Sequence, residues 1–305
     1  MEYILETHGL TKIYGQKEAV KDVDLHIEKG KIYGLIGRNG AGKTTIMRII
    51  SGLAAPTRGD YSLFGKTGSE KGKMLKYVGV LIEHPGLYPR LSAYENLKIK
   101  CIGMGIQPRG AVEELLELAG LENTDRKKPA GSYSLGMRQR LGIALALVGD
   151  PKLIILDEPI NGLDPQGIVE VRETLVRLRD EKHITIMVSS HILDELSKVA
   201  DVYGIIHEGA LLDEFSAEQL HERSGKYVTI RAEDSAAALR ALAENGITKA
   251  ALQHDGTIRV DEQLDHTAAM AKAIVNAGIG LEELCLRSVS LEDYYLGMTG
   301  GKHNG

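Results

Sequence analysis

Cysteine is scarce in this chain. Cys101 and Cys285 lie far apart and outside any metal-ligand spacing. Two cysteines cannot build a disulfide framework, so a reduced, cytoplasmic setting is expected. Long apolar runs are also lacking. The most apolar stretch, 143–156, is broken by Asp150, Pro151 and Lys152, well short of the roughly 18 residues of a membrane span. The opening residues 1–6 carry no basic segment ahead of an apolar core, and no signal peptide is read there. Nor is there a basic excess. Lys and Arg number 37 against 42 Asp and Glu, a net charge of -5, and no nucleic-acid partner is expected. A small anionic ligand remains allowed, because a local site can be positive on an acidic protein. Internal repeats and low-complexity tracts are missing as well. What remains is a globular composition, 43% hydrophobic and 26% charged, in 305 residues, enough for two domains.

The first two-thirds of the chain alternate short apolar runs with helical patterns. Residues 32–36, 153–156 and 184–188 read as buried strands, and 44–51 and 168–179 as helices. Continuous apolar strands separated by helices predict a parallel sheet covered on both faces. Residues 22–27 alternate instead and predict an antiparallel patch beside it. A boundary is expected near Ser216, where Ser216-Ala217-Glu218-Gln219 reads as a capping box. Beyond it the order is strand 227–231, helix 235–245, strands 248–253 and 257–260, helix 267–277 and strand 281–286. Asp255-Gly256 marks a hairpin turn, and Gly246 and Gly278 stand at helix ends. The order βαββαβ predicts a small ferredoxin-like unit. Ser290 and Asp293 predict a further capped helix at the end.

Chemistry concentrates in the first part. Gly37-Arg38-Asn39-Gly40-Ala41-Gly42-Lys43-Thr44 fits G-x-x-x-x-G-K-[ST], after a predicted strand and opening a predicted helix. Glycines let backbone N–H groups surround phosphate oxygens, and the helix start adds its positive end. Lys43 is the group to reach the β- and γ-phosphates of ATP, and the Thr44 hydroxyl is a Mg²⁺ ligand. The strand 153–156 runs into Asp157-Glu158-Pro159, placing two carboxylates where ligands of open α/β sheets bind. Asp157 would hold the metal through its water shell. Glu158 would be the general base. His191 follows the strand at 184–188 through Ser189-Ser190, where an imidazole can meet the γ-phosphate or the attacking water.

With those elements in order, Ser134-Leu135-Gly136-Met137-Arg138 and Asn161-Gly162-Leu163-Asp164 become readable. The set resembles the nucleotide-binding subunit of ATP-binding cassette (ABC) transporters, over about residues 5–215. The resemblance implies an α/β P-loop NTPase with a mixed sheet and a helical subdomain at about 84–150. It implies that Tyr14 stacks on adenine with Val20 beside it, and that the phosphate loop extends from Gly37 to Thr45. His191 is implied as the switch histidine. Ser134, Gly136 and Met137 would cap ATP held by a second protomer, with Asp164 in the loop that crosses to it. The segment 92–97, opened by a Ser92–Glu95 capping box, lies where the family meets its permease. Two departures stand out. The usual Leu-Ser-Gly-Gly-Gln is here Tyr133-Ser134-Leu135-Gly136-Met137, and Glu83 stands where the family usually has a Gln contact to Mg²⁺ and water. Both are similar to the branch of bacitracin and lantibiotic export or immunity.

The implied protein is therefore an ATPase with an ABC domain at 1–215 and an accessory unit at 216–305. Two copies, or one with a homologous cassette, would close over two ATP and drive a separate transmembrane permease. Its place would be the inner face of the cell membrane, held through that permease, with antibiotic resistance as the outcome. Two other readings stay open: a soluble ABC ATPase acting on a non-membrane partner, and a non-hydrolysing nucleotide-binding regulator. The second conflicts with the presence of Lys43, Glu158 and His191.

Overall fold

The structure, a computed structural model, describes residues 2–223, 226–288 and 290–300. The chain divides into two compact units, Met1–Ala217 and Glu218–Gly305.

The first unit opens with β1 (Tyr3–Tyr14), β2 (Lys17–Val23), β3 (His26–Glu28) and β4 (Ile32–Ile36), followed by α1 (Lys43–Ile50). Then come β5 (Arg58–Leu63), α2 (Gly68–Met74), β6 (Val78–Leu81), α3 (Ala93–Gly103), α4 (Pro108–Leu118) and α5 (Leu135–Leu147). It closes with β7 (Leu153–Leu156), α6 (Pro165–Lys182), β8 (Thr185–Ser190), α7 (Leu193–Ser197), β9 (Val202–His207) and β10 (Ala210–Ser216). Six strands form one sheet in the order β10-β9-β4-β8-β7-β6, parallel except for β10. β4, β7 and β8 are buried along their whole length, as strands covered on both faces must be. Their registers pair Ile36 with Ser190 and Leu156 with Val188, so their C-terminal ends lie side by side.

A second, antiparallel sheet has β1 between β2 and β3, with β5 also on β1. One apolar cluster joins the two sheets through α1: Leu10, Ile27 and Leu63 meet Leu35, Ile155, Ile46 and Met47. The segment 22–27, expected as one alternating strand, is split. β2 ends at Val23 and β3 begins at His26, with Asp22 at φ 48°. The buried Thr7 hydroxyl spans the break, donating to Val23 O and accepting from Leu25 N. α6 is longer than the expected 168–179 because Asp164 caps it, its carboxylate accepting from Gly167 N at 3.0 Å. α3 carries the expected Ser92–Glu95 capping box.

The second part begins with α8 (Ala217–Arg223) and β11 (Lys226–Ala232), then α9 (Ser235–Glu244), β12 (Ala250–Leu252) and β13 (Ile258–Val260). α10 (Thr267–Asn276), β14 (Leu281–Ser288) and α11 (Leu291–Thr299) complete it. The strand order is β12-β13-β11-β14, all antiparallel, which is the split-βαβ arrangement. Val228, Ile230, Ile258 and Val260 pack with Leu242, Met270 and Ile274 on one face. β12 is shorter than the expected 248–253. The N–H groups of Thr248 and Lys249 donate to the Glu262 carboxylate rather than to a strand. No helix among the described residues is long and apolar enough to cross a membrane.

Candidate nucleotide site

The parallel sheet delivers three chain ends to one place. β4 runs into the loop 37–42, which turns back at Gly42 with φ 112°; a Cβ there would stand 2.6 Å from Ala19 O. Only glycine fits this left-handed, crowded position. α1 then starts at Lys43, which is 5% exposed. Its ammonium donates to Gly37 O at 2.6 Å and to Arg38 O at 3.3 Å, so the loop is folded around its own lysine. Next to it the Thr44 hydroxyl donates to Asp157 Oδ2 at 2.7 Å, although 113 residues separate them.

β7 and β8 supply the rest. Ser189 Oγ donates to the other Asp157 oxygen at 2.6 Å and accepts from Glu158 N at 2.9 Å. One hydroxyl thus fixes both acids. Glu158 itself sits at φ 51°. Its Oε1 lies 3.1 Å from Lys43 Nζ, and its Oε2 lies 2.6 Å from His191 Nδ1. Oε1 is buried and makes no hydrogen bond. A depression of about 290 Å³ opens above the loop, lined by Tyr14, Lys17, Ala19, Asn39, Gly40, Thr45 and Glu158. Tyr14 is half exposed at its rim.

Several expected residues lie elsewhere. Val20 is fully buried in the core and does not line the depression; Ala19, its neighbour of opposite strand parity, does. Ala41 is buried too, and its carbonyl accepts from Gly209 N at 2.9 Å. Glu83, at φ 66°, is paired with Arg48 and touches neither Thr44 nor Asp157. Ser134, Gly136, Met137 and Asp164 form a second cluster at the starts of α5 and α6. Ser134 Oγ accepts from Met137 N at 3.2 Å. A Cβ on Gly136 would lie 3.4 Å from Gly167 Cα, so the two helix starts approach backbone to backbone. None of the four lines the depression. Ser189, Lys17 and Ala19 were missed by pattern reading. Only the polar ending of an otherwise apolar strand hinted at Ser189.

The donors suit magnesium. Thr44 and Asp157 offer hard oxygen atoms, and no cluster of three or more His, Cys, Asp or Glu side chains among the described residues could hold a metal. Mg²⁺ typically takes one or two protein oxygens and completes its shell with phosphate and water. Glu158 Oε1 is ion-paired with Lys43 but accepts no hydrogen bond, so a further proton donor would satisfy it.

Residues 20–161 match the family described as ABC transporter. Over 302 residues the chain is 43% identical to the bacitracin transport ATP-binding protein BcrA of Enterococcus faecalis, covering 99% of this chain and 98% of that protein. The chain belongs to the ABC transporter family. This ABC ATPase is also 46% identical over 209 residues to the lantibiotic transport ATP-binding protein SrtF of Streptococcus pyogenes, covering 68% of the chain and 89% of that protein. Among solved structures it is similar to cbiO1 of Clostridium perfringens, part of the ABC transporter complex cbiONQ. That likeness has a TM-score of 0.66 and 28% identity, covering 72% of this chain and 91% of the other. A dimeric ATP-binding cassette in a post-hydrolysis state, bound to ADP and Pi, matches with a TM-score of 0.63 and 26% identity, covering 70% of this chain and 98% of that one.

Proposed function

We propose that this ABC ATPase works as a pair of cassettes that close over two MgATP and drive a separate membrane permease exporting a peptide antibiotic. The observation that carries the ATPase part is the convergence of Lys43, Thr44, Asp157, Glu158 and His191 at the ends of three adjacent parallel strands. Lys43 exchanges its carbonyl partners for the β- and γ-phosphate oxygens. Tyr14 stacks on the base. Thr44 and Asp157 hold Mg²⁺, whose charge offsets that of the phosphates. Glu158 takes the proton of the attacking water, and His191, within hydrogen-bond distance of it, fixes its orientation.

The remaining assignments concern partners. Ser134, Gly136, Met137 and Asp164 act on the nucleotide of the opposite cassette, which is why they stand apart from Lys43 within one chain. Glu83 joins the metal shell only when Arg48 releases it. The permease docks beside α3, at a groove of about 460 Å³ lined by Pro85, Tyr88, Ile99 and Met104; Tyr88, Ile99 and Met104 are exposed apolar residues. In this reading the protein works at the inner face of the membrane, held there through the permease. The names of the BcrA and SrtF relatives, bacitracin and lantibiotic transport, support a peptide antibiotic as cargo.

Co-expression with a candidate permease tests the reading. Co-purification from membranes, Mg²⁺-dependent ATP hydrolysis and raised tolerance to bacitracin in the same cells are expected. Hydrolysis with recovery only alongside a soluble partner would overturn the transport part. Absence of hydrolysis would overturn the whole.

A further inference from the structure

The two edges of the second unit's sheet differ. β12 is three residues long, while β14 spans Leu281–Ser288, and no described strand pairs with its outer side. A long open edge invites another strand. Leu286 is 48% exposed on it, and Val275, on the neighbouring α10, is 57% exposed.

We infer that β14 pairs antiparallel with β14 of a second copy, about a two-fold axis through Cys285, joining two accessory units into one eight-stranded sheet. The register follows from side-chain chemistry. Val228 and Ile230 of β11 face the helices, so their partners Leu286 and Leu284 share that face, while Glu283, Cys285 and Arg287 share the open one. An axis through a residue of β14 sets like faces against like faces. Through Leu284 it would set Glu283 against Cys285; through Leu286 it would set Cys285 against Arg287. Through Cys285 it sets Glu283 against the partner's Arg287 and Leu284 against the partner's Leu286. Glu283 and Arg287 already reach each other along the strand at 3.1 Å. The pairing closes them into a ring of two carboxylates and two guanidiniums, and it covers the exposed Leu286. This contact needs no nucleotide, so it holds two copies together while the ATP sites are open.

Cross-linking of the full-length protein tests it, in protein freed of nucleotide and with no magnesium added. Copper–phenanthroline in air would remove two electrons and two protons from the facing Cys285 thiols to form a disulfide. A cross-linked dimer is expected in the wild type and in Cys101→Ser, since Cys101 is buried, and none in Cys285→Ser. Glu283→Arg or Arg287→Glu alone should cut the yield about tenfold, because each places like charges opposite one another twice per dimer. The double variant should restore it, which also controls for misfolding. No Cys285-dependent dimer, or equal yields from the single charge variants and the wild type, would overturn the inference. An ATP-dependent dimer of Glu158→Gln in such a case would leave the nucleotide reading standing and remove this one alone.

Discussion

The nucleotide site and the open face of the accessory sheet carry similar side chains but hold them differently. In the site, bonds join residues far apart in sequence: Thr44 to Asp157, Asp157 to Ser189, and Glu158 to Lys43 and His191. On the accessory face the pairs are short-range and exposed. Arg287 meets Glu283, and Arg259 meets Asp261. Exposed pairs contribute about 0–1 kcal/mol each. Buried polar groups cost far more when left unpaired. The first arrangement persists only where every member is satisfied or waits for a ligand. The second tolerates change and can trade partners, as an interface requires.

Lys43→Ala should break the contrast most severely. It removes the charge at the centre of the site, and MgATP affinity should fall by about 2–5 kcal/mol in a calorimetric titration. Wild-type affinity would remove the loop from the phosphate site. Glu158→Gln should keep ATP binding yet hydrolyse at least about 100-fold more slowly in a steady-state assay; unchanged turnover would exclude Glu158 as the base. Ser189→Ala tests the buried network without touching a charge. It orphans Glu158 N and one oxygen of Asp157, and urea unfolding should show a loss of about 1–3 kcal/mol. The matching change on the accessory face, Arg259→Ala, loses an exposed ion pair and a guanidinium 4.1 Å from the Tyr227 ring, and should cost about 1 kcal/mol or less. Equal costs for these two would erase the distinction. Among the effects on ATP binding, the smallest belongs to truncation after Ala217. ATP affinity of the folded cassette should stay within about tenfold, 1.4 kcal/mol, of the full chain.

The centre of the site was legible because its residues carry their meaning locally. A glycine-rich loop ending in Lys43-Thr44 and a buried strand ending in Asp157-Glu158 need no knowledge of the rest of the chain. Ser189 was not legible, since its role arises only when β8 lies beside β7. Val20 was implied by the family resemblance alone, and only strand pairing decides which residue of β2 faces the depression. β2 is joined to β1 with register shifts on either side of Lys12, and a one-residue difference decides between core and pocket. The pairing of Glu83 with Arg48 depends on where α1 lies against the loop after β6. In the accessory unit the order of elements followed from alternation and turn residues. Which strands became edges did not, because strand order in a sheet is a property of packing rather than of pattern.

The left-handed backbone at Glu158 has a further consequence for anyone engineering this protein. A residue bearing a side chain pays about 1 kcal/mol to sit at φ 51°, and glycine would be relieved of that strain. Glu158→Gly would relieve it only by leaving the buried Lys43 ammonium without its carboxylate and by loosening the unfolded chain, so heat tolerance gains little there while the proposed proton acceptor is lost. Thermostabilising libraries should hold this codon fixed, or score turnover in the same round as survival.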